Sequence, residues 1–289
     1  MTILTAALTG ATSGLGELAA IDLAQRGFAL VLLARSAARA DATIARIHET
    51  APGADVDVVL ADLTDLEQVR EAGADIARRH SRIDVLINNA GLHAFTPRTT
   101  PAGLPEMMVV NYFAPWVLTQ ALRSTLIASA PARVVTVASE ASRRHGTLTL
   151  PGDLTDTSPF TARGSSLIYG RTKLLDIMFT HELARRLAGT GVTANALDPG
   201  FNVTGLGREL RFSGVLEKIL RAAHVGDPRR GTAGIVRLAT DAGLTDQTGG
   251  YYSAKTRKQL TPTAPAGDRD AERRLWEFTE QIVGAAHVA

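Results

Sequence analysis

The 289-residue chain contains no cysteine. That excludes disulfides, cysteine nucleophiles and thiolate metal sites, and is compatible with a reducing cytosol. A block of like charge is also missing: 31 basic residues are dispersed among 29 acidic ones, for a formal net charge of +2. No nucleic-acid or anionic-membrane footprint stands out. No apolar run approaches a transmembrane span, and the opening MTILTAALTGAT lacks the charged region and small-residue cleavage site of a secretory signal. These absences lead to the expectation of a cytoplasmic protein with no nucleic-acid partner and no membrane span. The seven histidines show no H-x-x-x-H pair and no zinc-site spacing to carboxylates, so no metal is expected. His93 and His145 follow strand ends and are candidates to line a substrate site. No linker rich in Pro, Gly or Ser divides the chain, and no solenoid period repeats along it.

What is present is an ordinary globular composition, 45% hydrophobic and 21% charged, laid out as alternating short apolar runs and helical patterns. ILTAALTG precedes GELAAIDLAQRG, FALVLLAR precedes AARADATIARIHET, VDVVLADL precedes LEQVREAGADIARRH, and IDVLINNAG, RVVTVAS and VTANALDP continue the series. The runs are continuously apolar, as in strands buried on both faces. The reading is a single α/β domain over residues 1–289, a Rossmann-type doubly wound parallel sheet with helices on both faces, closed by a final helix at AERRLWEFTEQIVG. Two stretches exceed the minimal repeat, about 140–166 and about 201–230. Both follow strand ends on the ligand-binding side of such sheets, which makes them candidate substrate walls. Their leucines and phenylalanines either face a bulky apolar substrate or seal the core.

Between the first strand and first helix, TGATSGLG places Gly10, Gly14 and Gly16 where a tight turn lets backbone and a pyrophosphate approach at a helix N-terminus. Asp62, after strand three, can accept from an adenine amine, although capping by Thr64 or Asp65 explains part of that stretch. Asn88 and Asn89 end strand four, where paired asparagines also serve as turn formers. Asn111 falls in the next helix and Ser139 ends strand five. In SLIYGRTKLL, Tyr169 and Lys173 stand four apart, hence on one helix face. An ammonium one turn away favours a phenolate, and so would make Tyr169 a usable acid/base.

Together TGATSGLG, NNAG, Asn111, Ser139, YGRTK at 169–173 and DPGFNVT at 198–204 resemble the classical short-chain dehydrogenase/reductase superfamily. LLAR, DQTGGYY and RRLWEFTE are similar to its retinol-dehydrogenase-like branch. The resemblance implies a nicotinamide-dependent oxidoreductase acting on a small-molecule carbonyl/alcohol pair, with dimers and tetramers common. It implies a catalytic set of Asn111, Ser139, Tyr169 and Lys173, with Asn111 keeping a water in line toward Lys173, which also holds the nicotinamide ribose. The cofactor would meet Gly10, Thr12, Ser13, Gly14, Leu15 and Gly16 in the first turn, then Arg35 and Ser36, then Asp62 and Leu63. Further contacts would come from Asn89, Ala90 and Gly91, from Tyr169 and Lys173, and from Pro199, Gly200, Val203 and Thr204. Ala138 departs from a common second serine, and Ser142 competes with Ser139, which is preferred because it ends the apolar run. The long Ser139-to-Tyr169 gap also occurs in protochlorophyllide reductases, but that family uses a catalytic-site cysteine, absent here.

The choice of dinucleotide is read after strand two. NAD enzymes place a carboxylate there for the ribose hydroxyls, whereas VLLARSAAR has none until Asp41. Arg35 stands at that point with Ser36 beside it, suited to a 2′-phosphate, and NADP(H) is expected; the plain alternative is a solvated arginine at a helix start. The competing function is a catalytically silent dinucleotide-sensing module on the same fold.

Overall fold

The apolar runs become strands that are sandwiched between helical layers, and this burial on both faces explains why they do not alternate in polarity. A computed structural model describes residues 3–200 and 227–286. The order is β1 (Thr5–Thr9), α1 (Gly14–Gln25), β2 (Ala29–Ala34), α2 (Ala37–Thr50), β3 (Val56–Leu60), α3 (Leu66–Arg79) and β4 (Val85–Asn88). Next come α4 (Glu106–Met108), a π turn (Val109–Phe113), α5 (Ala114–Ala121), α6 (Arg123–Ala128), β5 (Ala132–Val137), a 3-10 turn (Glu140–Arg144) and α7 (Gly152–Thr155). The chain continues through α8 (Ala162–Arg186), β6 (Val192–Asp198), α9 (Pro228–Thr240), β7 (Tyr251–Ser253) and α10 (Arg269–Ala285).

Among the described residues seven strands form one parallel sheet in the order β3-β2-β1-β4-β5-β6-β7. The order reverses between β1 and β4, and a ligand crevice forms outside the carboxyl ends at such a point. Alternate strand residues feed two cores. Ala7, Val31 and Leu33 join Val69, Trp116, Leu174 and Leu275 on the α3, α5, α8 and α10 face. Ala6, Leu8, Leu30 and Leu32 join Leu15, Leu23, Ile47 and Ile235 on the α1, α2 and α9 face.

The long connection after β5 turns inward. Leu154 is buried, and Leu148 and Leu150 pack against the first core. Arg171 of α8 ties the connection down, its Nε donating to His145 O at 3.0 Å and its Nη1 to Asp153 Oδ1 at 2.7 Å. Gly170 is needed where the 3-10 turn crosses α8, since a Cβ there would lie 2.6 Å from the carbonyl oxygens of Ala141 and Arg144. The second candidate wall, about 201–230, lies outside the described residues except for 227–230, which contribute Asp227 as N-cap of α9 and its first turn.

The C-terminal helix is fastened by a buried carboxylate. Glu272 accepts from His181 Nδ1 at 2.6 Å, Arg185 Nη2 at 2.6 Å and the Gly267 N–H at 2.7 Å. Trp276 stacks on Phe179 of α8, with ring centroids 5.9 Å apart. Burial alone would raise the Glu272 pKa, but these donors outweigh it and hold the carboxyl below its ordinary 4.5. A depressed folded-state pKa contributes stability that is present above about pH 4.5 and is lost as pH falls through the folded value. The gap in denaturant midpoint between wild type and Glu272→Gln is therefore expected to be full at neutral pH and to shrink below about pH 4.5. A gap constant with pH would show that the Glu272 charge does not fasten the helix.

Candidate active site

A cleft of about 730 Å³ opens at the switch point, running from the start of α1 to the Tyr169 and Lys173 side chains. Gly10, Thr12, Ser13, Gly14 and Leu15 form one wall, Arg35, Asp62 and Leu63 another, and Asn89, Ala90 and Gly91 the floor. Ser139, Tyr169, Lys173, Pro199 and Gly200 close the far end. The first turn is locked from below: Thr9 Oγ1 accepts from the N–H groups of Asn89 and Ala90, both at 3.0 Å, and Asn89 Nδ2 donates to Thr9 O at 3.1 Å. A Cβ on Gly16 would lie 2.3 Å from Gly10 O, so Gly16 permits turn and helix to pack and does not line the cleft.

This cleft fits a dinucleotide. The N-cap Ser13 of α1 makes no side-chain capping bond, and with Gly14 and Leu15 it faces the cleft, so the helix start offers uncommitted N–H donors and partial positive charge to an anion. Arg35 and Arg39 add cationic side chains to the same end.

At the opposite end, α8 presents the reactive pair. Lys173 Nζ lies 5.9 Å from the centre of the Tyr169 ring. It donates to Val137 O at 2.8 Å and to Asp176 Oδ2 at 2.9 Å. The expectation that Lys173 lowers the Tyr169 pKa is corrected in its net direction. Burial raises that pKa, the Lys173 charge pulls it down, and Asp176 and Asp198 push it up again, leaving the phenol above its ordinary value. Ser139 extends from the end of β5 and caps the 3-10 turn, its Oγ accepting from the Ala141 N–H at 3.1 Å. Ser142 is 1% exposed and does not line the cleft, which favours Ser139 as the residue at the reacting end.

Several expected positions fall elsewhere. Asn111 sits in the π turn, a bulge common at functional sites, but 1% exposed and behind the cleft wall. Its Oδ1 accepts from the Leu92 N–H at 2.7 Å, and its Nδ2 donates to Leu92 O at 2.8 Å and Thr172 Oγ1 at 3.0 Å. It therefore splints the strand-four loop to α8. Ser36 caps α2, accepting from the Arg39 N–H at 3.4 Å, and does not line the cleft. Asn88 points into the core, donating to Thr119 Oγ1 at 3.0 Å. Asp62 Oδ1 accepts from Thr64 N–H and Oγ1, while its Oδ2 faces Arg35 Nη1 at 3.9 Å. His145 is drawn to Arg171, and none of residues 140–166 lines this cleft. Val203 and Thr204 lie outside the described residues.

His93 does reach the cleft. Its ring stacks on Tyr169, centroids 4.7 Å apart and planes at 16°, and its Nε2 lies 2.9 Å from Ser165 Oγ. The ion-paired Arg98 and Glu106 also line the wall. Their meeting depends on a loop closed by the Glu106 N–H donating to Arg98 O at 3.0 Å, and eight-residue spacing in a loop carries no periodic signal. Among the described residues no cluster of three His, Cys, Asp or Glu side chains is placed to hold a metal, and no helix is long and apolar enough to cross a membrane.

A switch-point cleft with a glycine turn at one end and a Tyr/Lys pair at the other defines a Rossmann-type dinucleotide oxidoreductase site. Residues 4–150 match the short chain dehydrogenase family. Mouse (Mus musculus) retinol dehydrogenase 14 is 32% identical over 97% of this chain and 86% of its own length. A solved structure of a putative uncharacterized protein from Mycobacterium paratuberculosis superimposes with a TM-score of 0.73 at 26% identity, covering 97% of this chain and 93% of that one. A putative NAD(P) dependent gluconate 5-dehydrogenase from Beutenbergia cavernae, solved with bound NADP, gives 0.67 at 28% identity, covering 87% and 94%. The chain belongs to the short-chain dehydrogenase/reductase superfamily, in its retinol-dehydrogenase-like branch, and is an oxidoreductase.

Proposed function

We propose that this oxidoreductase uses NADP(H) to interconvert a bulky apolar ketone or aldehyde with its alcohol. The observation that carries the reading is the convergence of Tyr169, Lys173 and Ser139 at the end of the cleft opposite the α1 N-terminus and Arg35. When bound, the nicotinamide supplies or accepts the hydride. The chain does the rest. Negative charge that grows on the carbonyl oxygen is met by the Ser139 hydroxyl and by the proton Tyr169 donates. The Lys173 ammonium stabilises the tyrosinate left behind until a proton returns to it. Lys173 has three N–H donors, of which two are committed to Val137 O and Asp176 Oδ2, leaving one for a ribose hydroxyl at the cleft it lines. Asn111 acts one step back, fixing the Leu92 backbone beside the cleft.

The support for an apolar substrate lies outside residues 140–166. The leucines of 140–166 seal the core, so the support is the run of Phe201, Leu206, Leu210, Phe212, Val215 and Leu216 in the sequence, and relatives whose names give retinol as substrate. A kinetic survey with NADPH is expected to rank aromatic or polycyclic carbonyl compounds above small polar ketoacids in kcat/KM. The reverse ranking overturns the substrate class. Dinucleotide binding with no turnover of any carbonyl or alcohol in the panel would instead establish the silent sensor.

A further inference from the structure

Asp176 has no assigned part in this reaction, yet it is the side chain most closely tied to the reactive pair. It lies three residues after Lys173 on α8, and its side chain is 1% exposed. Oδ2 accepts from Lys173 Nζ at 2.9 Å, while Oδ1 is buried without a hydrogen-bond partner. A buried carboxylate kept half-satisfied costs stability, and a well-packed apolar residue at such a place is often neutral or better. Its location next to the Lys173 ammonium of the reacting end gives it a use.

We propose that Asp176 is a positioning residue for hydride transfer, holding the Lys173 ammonium against β5 and offsetting the positive charge that Tyr169 experiences. The argument rests on the functional reading of Tyr169 and Lys173 given above. With Val137 O and Asp176 Oδ2 as two fixed acceptors, Nζ cannot swing along the helix toward solvent. Seen from the phenol the carboxylate opposes the ammonium, so the proton stays on Tyr169 over a wider range of pH than it would beside Lys173 alone. That condition keeps Tyr169 in the form that donates a proton to the carbonyl oxygen. The same balance appears on each group. Burial disfavours the charged form of Lys173, but Asp176 and Tyr169 together more than restore it, and burial pushes the Asp176 carboxyl upward against the pull of Lys173.

Other charged and titratable groups around the pair are accounted for. From the π turn, Tyr112 is bonded through its hydroxyl to Thr279 Oγ1 at 2.6 Å. From β6, Asp198 accepts from the Glu140 N–H at 3.1 Å. On the 3-10 turn, Glu140 pairs with Arg143 and Arg144 is exposed. Glu106 of α4 pairs with Arg98, Glu272 of α10 with His181 and Arg185, and His93 covers the Tyr169 ring. None of these replaces Asp176 at Lys173 Nζ, whose hydrogen bonds within the described residues go to Val137 and Asp176.

Removing a negative charge beside two coupled sites makes the pair release its first proton at lower pH, whichever site loses it. A unit charge within a few ångströms at a partly buried site shifts such a midpoint by about one pH unit or more. In Asp176→Asn, which keeps the shape and an acceptor oxygen, the pH profiles of kcat/KM for alcohol oxidation and carbonyl reduction are both expected to move acid-ward by about one unit. Asp176→Ser repeats the charge removal in case the asparagine variant does not fold, and thermal melts report on folding separately. A lower rate with unmoved profiles would make Asp176 a structural residue only and overturn the proposal. A second measurement needs no substrate: ultraviolet titration of tyrosinate, with and without Tyr169→Phe, isolates the Tyr169 midpoint. It is expected to fall by about one unit in the Asp176→Asn background, and an unchanged midpoint overturns the proposal. If wild type turns over no carbonyl at all, the functional reading fails while this titration still decides the part assigned to Asp176.

Discussion

Tyr169→Phe is expected to lose at least about 10²-fold in turnover while its melting temperature and dinucleotide affinity stay near those of wild type. The two effects separate because the ring and the hydroxyl do different things. The ring is half-buried and stacked against His93 with centroids 4.7 Å apart, and phenylalanine preserves that surface. No hydrogen bond within the described residues holds the Tyr169 hydroxyl in the fold, so its removal leaves no buried partner stranded. What is lost is the proton donor to the developing alkoxide, and neither Ser139, whose hydroxyl already serves to hydrogen-bond the same oxygen, nor Lys173, held against Val137 and Asp176, stands in for it. A variant that keeps more than half of the wild-type rate would remove Tyr169 from the acid/base role. A variant that melts much earlier would mean that the phenol is structural.

The parts of this architecture that were readable from the sequence are those whose physics is local or periodic. Strands β1, β2 and β4 to β6 are apolar because both faces are covered, while the edge strand β3 is only partly buried, and α1, α2 and α3 begin and end at the glycine, capping and apolar positions that the pattern marks. The four-residue spacing of Tyr169 and Lys173 likewise becomes one helix face by geometry alone. Strand β7 was not legible, because Tyr251–Ser253 is three residues long and depends on pairing with β6 through Ala196, Leu197 and Asp198. The π turn around Asn111 and the inward path of Leu148, Leu150 and Leu154 depend on what packs against them. Asp176 is the sharpest case. Its three-residue spacing from Lys173 is plain, but an i,i+3 pair of opposite charge reads as a solvated surface pair until the burial of that face of α8 is known. Charge balance at a site is therefore less legible than the identity of its reacting groups.

The second large effect concerns the dinucleotide. NADPH is expected to exceed NADH by at least about tenfold in kcat/KM, about 1.4 kcal/mol, and Arg35→Asp is expected to erase or invert that ratio, mainly through KM for NADPH. Arg35 extends from the end of β2 into the cleft with its side chain 72% exposed, and a neighbouring carboxylate, Asp62 Oδ2, is 3.9 Å away. An ion pair that long and that exposed holds a guanidinium weakly, which leaves the planar fork available to clasp a phosphate bidentately. Arg39 reinforces the site. It lines the cleft one turn into α2 and donates from Nη2 to Thr12 O at 3.2 Å, which ties α2 to the first glycine turn. Two cations at the start of a helix with no acidic residue in its first turn are unfavourable against the helix dipole unless an anion joins them. Ser36 Oγ accepts from the Arg39 N–H as the cap of α2. An aspartate at position 35 would repel a 2′-phosphate and, with Asp62 beside it, turn this end of the cleft acidic, while offering acceptors to the free ribose hydroxyls of NADH. The loss should fall on the phosphate-bearing cofactor and leave kcat at saturating NADH near that of wild type. Equal use of NADH by the wild type, or an Arg35→Asp ratio unchanged from it, would show that the end of β2 does not select the cofactor.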